Sequence, residues 1–296
     1  MGLASASMGE VAWDSTAVTA IGDCRYRATI GDEWVLAMVP QGGVLAAIGA
    51  RAMATELATG QPLRTIHGVF ASPVAAGTVE AVVTVLRRGR SVSQARVELG
   101  APGGAAGFSA LAVFGGDRPG FEFTELVPPT VPDPDECTSF REPPPPESGF
   151  EASGPWAFWV DVLDGRSALG HAPWDPSPRG AAEVANWYRF EDPPISDDGT
   201  LDPLALLVYA DMMPGPVFER LGSRRPDEPR WFAPSVDLTA HLFGHATPGW
   251  ILAHAKAHHA GDGYASAEMA LWDPRAPGGP RLVAWACQQM FFTQLS

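Results

Sequence analysis

The chain has 296 residues, 46% of them hydrophobic, with 34 acidic against 20 basic side chains and a formal charge of −14. That is apolar material for one large core or two ordinary ones, and the negative field excludes nucleic acid as a partner, because phosphate binding needs positive charge. No apolar run approaches the ~18 residues of a membrane span, and the three cysteines, Cys24, Cys137 and Cys287, lack the CxxC spacing of metal or redox sites.

Residues Met1–Glu10 carry neither the basic start nor the long apolar stretch of a signal peptide. With reduced cysteines, this reads as a cytoplasmic protein. A short strand is predicted near Tyr26–Ile30, then an apolar helix from Gly43 to Leu57. Strands follow at Thr65–Phe70, Thr78–Arg87, Ser91–Leu99 and Ser109–Phe114. From Gly116 to Ser148 prolines recur, and proline is excluded from helix interiors and central strands. Residues 118–150 are therefore read as an extended acidic linker between an N-terminal domain, 1–117, and a C-terminal domain, 151–296. His171–Arg179 reads as a second loop-rich stretch. The second half repeats the first: a strand at Glu183–Phe190, an apolar helix from Pro203, then strands at Ser235–Phe243, Trp250–His259, Tyr264–Trp272 and Arg281–Phe292.

The likeness between halves extends to their hairpins. Arg87-Arg-Gly-Arg90 joins two long strands in one half and Ala260-Gly-Asp-Gly263 joins two in the other, with Gly and Asp expected at positive φ. Internal repetition at this length is an organising signal. Both helices are nearly uncharged: Val44–Ala54 holds only Arg51, and Leu204–Ala210 holds no charge. A helix apolar all round is buried on most sides, and a sheet wrapped around it would supply that burial. In Trp250–His258 the small set Ile251, Ala253, Ala255 and Ala257 alternates with Trp250, Leu252, His254 and Lys256, so one face suits close packing and the larger, partly polar face suits a surface or a ligand groove.

Several chemistries are set aside. His254 and His258, four apart on a strand, stand roughly 13 Å from each other, too far to share one metal ion. Asp237 and His241 have the same strand spacing, which argues against an Asp/His hydratase pair. No GxSxG elbow, P-loop or dinucleotide fingerprint occurs. Arg87, Arg88 and Arg90, and Arg224, Arg225 and Arg230, are two basic clusters that read either as solvated surface or as contacts for ligand phosphates. Asp211 closes the apolar run Leu206-Leu-Val-Tyr-Ala. It reads either as a cap for the turn near Pro214 or as a partly desolvated carboxylate, and hence a stronger base. Ser235 reads as a strand-edge hydroxyl or a partner of that carboxylate. Gln288, on the apolar strand Leu282-Val-Ala-Trp-Ala-Cys, needs partners for its amide.

The phrases Gln41-Gly-Gly-Val44, Leu86-Arg-Arg-Gly-Arg-Ser-Val-Ser93, Tyr209-Ala-Asp211, Pro234-Ser-Val-Asp-Leu238 and Val283-Ala-Trp-Ala-Cys-Gln288, in this order and spacing, resemble the double-hotdog acyl-CoA thioesterase II (TesB-like) family from about Asp14 to Phe292. The resemblance implies an α+β double hotdog, two fused domains with an antiparallel sheet around a central helix. It implies hydrolysis of acyl-CoA thioesters without a covalent intermediate. The catalytic roles fall on Asp211, Ser235 and Gln288, which together hold and polarise a water. Ser235 stands where threonine is commoner and keeps the hydroxyl. Gln288 is followed by Gln289, and alternation sends only one of the two into the site. The resemblance also implies no cofactor beyond the CoA of the substrate, no metal, and association into a homo-oligomer. The alternatives are a non-catalytic acyl-CoA-binding hotdog protein and, behind it, an enoyl-CoA hydratase-type hotdog enzyme in which a bulge brings Asp237 and His241 together; neither would release free thiol.

Overall fold

A computed structural model describes residues 11–36, 38–146, 156–171, 180–222 and 230–295. In chain order the first half holds β1 (Thr19–Gly22), β2 (Arg25–Ile30), β3 (Val35–Leu36), β4 (Val39–Pro40), α1 (Gly42–Leu57), β5 (Leu63–Phe70), β6 (Gly77–Arg87), β7 (Val92–Gly100) and β8 (Phe108–Gly115). Next come β9 (Thr138–Ser139), β10 (Leu163–Leu169), β11 (Glu183–Phe190), α2 (Ala205–Ala210), α3 (Gly215–Leu221), β12 (Arg230–Phe232), β13 (Asp237–Leu242), β14 (Ile251–Gly261), β15 (Tyr264–Asp273), β16 (Arg281–Phe291) and β17 (Thr293–Leu295).

Thirteen strands form one sheet in the order β1-β2-β6-β7-β8-β5-β13-β16-β15-β14-β11-β10-β9. The pairs between neighbours are antiparallel. Each half thus curls its own strands around its own helix. The two half-sheets fuse edge to edge where β5 meets β13, with Thr239 opposite His67 and His241 opposite Thr65. This removes two free strand edges, which would otherwise invite pairing with other chains.

The predicted helix of the first half is present over its whole length. α1 packs against β5, β6, β7 and β8, and Val44, Ala47, Ala50, Ala52 and Met53 are fully buried. It stops at Ala58, whose left-handed backbone (φ 50°) lets its N–H bond Ala54 O at 3.0 Å. The helix predicted from Pro203 is present and matches its apolar run Leu204–Ala210. α2 is only six residues long, Asp211 ends it, and α3 begins after Pro214, because proline cannot continue a helix that needs its N–H. The Ala260–Gly263 turn has the expected positive φ, at Asp262 (53°) and Gly263 (81°). The Arg87–Arg90 turn does not. Gly89 is required there by space instead, since a Cβ would lie 2.3 Å from Val92 O.

The linker is more structured than its prolines suggested. Pro134–Glu136 forms a 3-10 turn, and Thr138–Ser139 adds β9 to the sheet. Val131 and Cys137 pack on the outer face against Trp187, Leu252 and Trp272, and Trp187 Nε1 donates to Pro132 O at 3.0 Å. The Leu252 end of the larger face of β14 therefore lies under residues of this stretch, while Lys256 and His258 stay open to solvent. Residues 1–10, the stretch 172–179 of the predicted His171–Arg179 loop, and the side chains of Arg224, Arg225 and Arg230 lie outside the described residues.

Candidate active site

Asp211 sits where α2 ends, with 8% of its surface exposed. Its carboxylate collects donors from three other elements. Ser235 Oγ, at the entry to β13, donates to Oδ1 at 2.9 Å. Gln288 Nε2, on β16, donates to the same oxygen and also to Ser235 Oγ at 2.8 Å. Gly43 N, in the first turn of α1, donates to Oδ2 at 3.1 Å. Three side chains of the second half and a helix N-terminus of the first half therefore meet at one carboxylate.

The local sequence explains each placement. Ser235 is held by an isolated bridge to Met290, and Val236 N donates to Gln289 O at 2.8 Å. Strand alternation on β16 turns Gln288 inward, 2% exposed, while Gln289 faces the other way and its backbone N–H donates to Asp237 Oδ1 at 2.7 Å. The register ambiguity of the Gln288-Gln289 pair is thereby resolved in favour of Gln288. The glycines of α1 allow the two halves to approach. A Cβ on Gly42 would lie 2.6 Å from Phe70 Cε1 and 2.7 Å from Asp211 Oδ2. On Gly43 it would lie 2.4 Å from Leu207 O and 2.6 Å from Val208 Cα.

Burial is the largest influence on the Asp211 carboxyl and pushes its pKa up to about 6. Hydrogen bonds from Ser235 and Gln288, and from the Gly42 and Gly43 backbone, pull the other way. Every group that reaches the carboxylate is neutral, so no neighbouring charge holds it ionised. The positive end of the α1 dipole adds to these bonds. The result is a carboxylate that is ionised at neutral pH yet basic enough to accept a proton. Gln288 Oε1 is buried without a partner.

The remaining candidates fall elsewhere. His241 Nδ1 bonds Thr65 Oγ1 at 2.7 Å and Asp237 bonds the Gln289 amide, so Asp237 and His241 form no pair. His254 and His258 meet different carboxylates, Glu183 at 2.6 Å and Glu268 at 3.1 Å, and among the described residues no cluster could hold a metal. Arg88 donates to Leu57 O and Glu56 O, at 3.0 and 2.7 Å. It caps the far end of α1, about 21 Å of helix away from Gly43 at 1.5 Å per residue. The sequence reading missed Gln41. Its phrase marked only the start of α1, and nothing local indicates that its side chain crosses to the other half. Its Nε2 donates to Val208 O at 2.9 Å and Asp211 O at 3.2 Å.

Two family models match the chain. The acyl-CoA thioesterase N-terminal domain covers residues 30–115, and the acyl-CoA thioesterase C-terminal domain covers residues 134–291. Among solved structures it is similar to a hotdog-fold protein of unknown function from Alicyclobacillus acidocaldarius, with 22% identity, 96% of this chain and 98% of that one covered, and a TM-score of 0.76. It is also similar to the acyl-CoA thioesterase II TesB2 of Mycobacterium marinum (20% identity, 96% and 98% covered, TM-score 0.68). A third likeness is to the tesB protein of Mycobacterium avium subsp. paratuberculosis (17% identity, 94% and 97% covered, TM-score 0.70). At these identities the solved structures speak for the hotdog fold. No curated protein sequence matches the chain.

Proposed function

This chain belongs to the acyl-CoA thioesterase family and is a hydrolase of acyl-CoA thioesters, and from that premise we propose that Asp211, Ser235 and Gln288 carry its chemistry. The supporting observation is their convergence: a buried carboxylate that accepts hydrogen bonds from both a hydroxyl and an amide delivered by separate strands. Asp211 takes a proton from a water that Ser235 and Gln288 orient. The water oxygen bonds to the thioester carbonyl carbon and gives a tetrahedral oxyanion. The C–S bond then breaks, the sulfur receives the proton from Asp211, and free acid and CoA thiol leave. Charge moves from the carboxylate towards the oxyanion beside the positive end of α1, where backbone dipoles favour it. No cofactor enters this scheme.

The proposed setting is the turnover of fatty acyl-CoA in the cytoplasm, by a homo-oligomer. Cys24, Cys137 and Cys287 are all unpaired, and no described helix is long and apolar enough to cross a membrane. Val69, Val82 and Leu111 are exposed apolar residues of the kind a second copy covers. The test is thiol release from acyl-CoAs of short to long chain, comparing wild type with Asp211→Asn. Loss of at least a hundredfold in kcat, with an acyl-CoA still bound, supports the assignment. Wild-type turnover by the folded Asn variant removes Asp211 from the chemistry.

A further inference from the structure

α2 is too short to hold its own end. Six residues form too few intrahelical bonds to be stable alone, and the carbonyls of a helix's last turn have no partner within the helix. The prolines at 214 and 216 prevent the chain from continuing the ladder. Yet the residue at this unsupported end is Asp211, whose carboxylate must meet three donors at once.

Two carbonyls at this end are satisfied from the other half of the molecule. Gln41, the residue before the first turn of α1, is 4% exposed. Its single Nε2 bridges Val208 O and Asp211 O, one carbonyl inside α2 and one at its cap. Two residues further on, Gly43 N holds the carboxylate of the same aspartate. Residues 41–43 thus grip Asp211 by its backbone and its side chain together. We propose that Gln41 is a positioning residue for hydrolysis: it caps α2 across the junction of the two halves and so fixes the direction of the Asp211 carboxylate. This inference rests on the reading of Asp211 as the base.

A cap that matters only for folding and a cap that aims the carboxylate differ in what they change. The first alters stability alone. The second alters turnover per folded molecule. It also alters the pH dependence, because a carboxylate that drifts from the Gly43 amide, Ser235 and Gln288 keeps its burial and loses the bonds that hold it ionised.

The experiment is kcat, KM and the pH profile of kcat/KM for Gln41→Met, which keeps the length and apolar volume of the side chain and deletes the amide. Rates are normalised to the folded fraction from a melting curve. The expected result is a kcat 10- to 100-fold below wild type, the range that displacements of about 1 Å produce, with KM within about threefold and the acid limb of the profile moved to higher pH. Wild-type kcat with a wild-type profile overturns the proposal, whatever happens to Tm. If Gln41→Met does not fold, Gln41→Asn, which keeps the amide but withdraws it by one methylene, is measured in the same way. A smaller loss of kcat with the same direction of pH shift supports the proposal, and unchanged kcat overturns it. Asp211→Asn run alongside separates the two failures. If Asp211→Asn is inactive while the Gln41 variants behave as wild type, the positioning role fails alone. If Asp211→Asn is active, both readings fail.

Discussion

Replacing Gly43 with alanine tests the closeness of the two halves more sharply than any change at the polar residues. The new Cβ would stand 2.6 Å from Val208 Cα and 2.4 Å from Leu207 O, and both are backbone atoms that no rotamer change can move. Restoring an ordinary carbon contact of about 3.5 Å requires α1 and α2 to part by about 1 Å. Alanine's better helix propensity offers about 1 kcal/mol, against about 1–3 kcal/mol for overpacking a tight contact. The fold should therefore lose roughly 0–2 kcal/mol. Activity should suffer far more, because the Gly43–Asp211 bond, 3.1 Å in the wild type, stretches out of bonding range, and a 1 Å displacement costs on the order of 10²-fold in rate. Thiol release and thermal melting, measured on the same preparation, read both quantities. Gly49→Ala is the control in the same helix. Its Cβ meets only side-chain atoms, Val97 Cγ1 at 3.0 Å and Phe108 Cε1 at 3.4 Å, which can adjust, so its kcat should stay near wild type. A Gly43→Ala enzyme with wild-type kcat and an undiminished Tm would refute the argument that this contact places Asp211.

Other expectations follow from the same geometry. In the proposed mechanism the ionised form of Asp211 is the active one, so kcat/KM should be half-maximal near pH 6, level off about one unit above it and fall tenfold per unit below it; an acid limb near pH 4 would show a carboxylate that is not desolvated. The same shift predicts a stability effect. The folded pKa lies above the ordinary 3.8, so the fold binds the proton more tightly than the unfolded chain does, and ionisation works against folding. Wild type should therefore lose stability relative to Asp211→Asn as pH rises from about 4 to 6, by up to about 3 kcal/mol for a shift of about two units. Denaturant midpoints at the two pH values check this, and equal pH dependence in both proteins would refute it. Arg88→Ala should lower stability by about 1 kcal/mol, through loss of the bonds to the α1 carbonyls, and leave KM for acyl-CoA unchanged; a severalfold rise in KM would show instead that this hairpin holds CoA.

The parts legible in the sequence are those governed by local rules. Apolar composition marked α1, alternation marked the long strands, and Pro214 announced the break beside Asp211. Asp211 and Gln288 stood out as polar groups at the end of or within apolar runs, each needing a partner, but the roles of both, and the choice of Ser235, came from the resemblance to the thioesterase II family. What escaped was long-range. The outward face of β14 looked free because nothing in Trp250–His258 reveals that Val131 and Cys137 will lie over its Leu252 end. Gln41 looked like part of a helix start because the carbonyls it serves, Val208 O and Asp211 O, lie on the far side of the domain junction. Gly89 was assigned to its turn for backbone conformation, while the reason is the closeness of Val92 O. The misses at β14 and Gln41 are contacts made by the fold and absent from any window of the chain, whereas the Gly89–Val92 contact lies within one hairpin and depends on its exact geometry.

The repeat leaves one further question, whether a chain built from two similar halves has two centres. The seam supplies an alignment. Thr65-Ile-His67 on β5 and Thr239-Ala-His241 on β13 pair reciprocally, with His241 on Thr65 and His67 on Thr239, both at 2.7 Å, as a local twofold axis requires. Val113 lies beside Thr65 on β8, and Cys287 lies beside Thr239 on β16. The residues that follow are therefore counterparts, and Gln288 corresponds to Phe114, a fully buried ring. On the same alignment Ser235 corresponds to Gln61, whose amide is engaged with Gly89 O and Arg90 O at the hairpin. The first half thus has core and structural residues where the second has the Gln288 amide and Ser235 hydroxyl of the proposed centre, and gives to that centre its helix N-terminus instead. Calorimetric titration with a non-hydrolysable acyl-CoA should accordingly saturate at one ligand per chain, and Asp211→Asn should not change that number. Two equivalents per chain would mean that the first half keeps a working site despite Phe114, and that the division of labour between the halves is wrong.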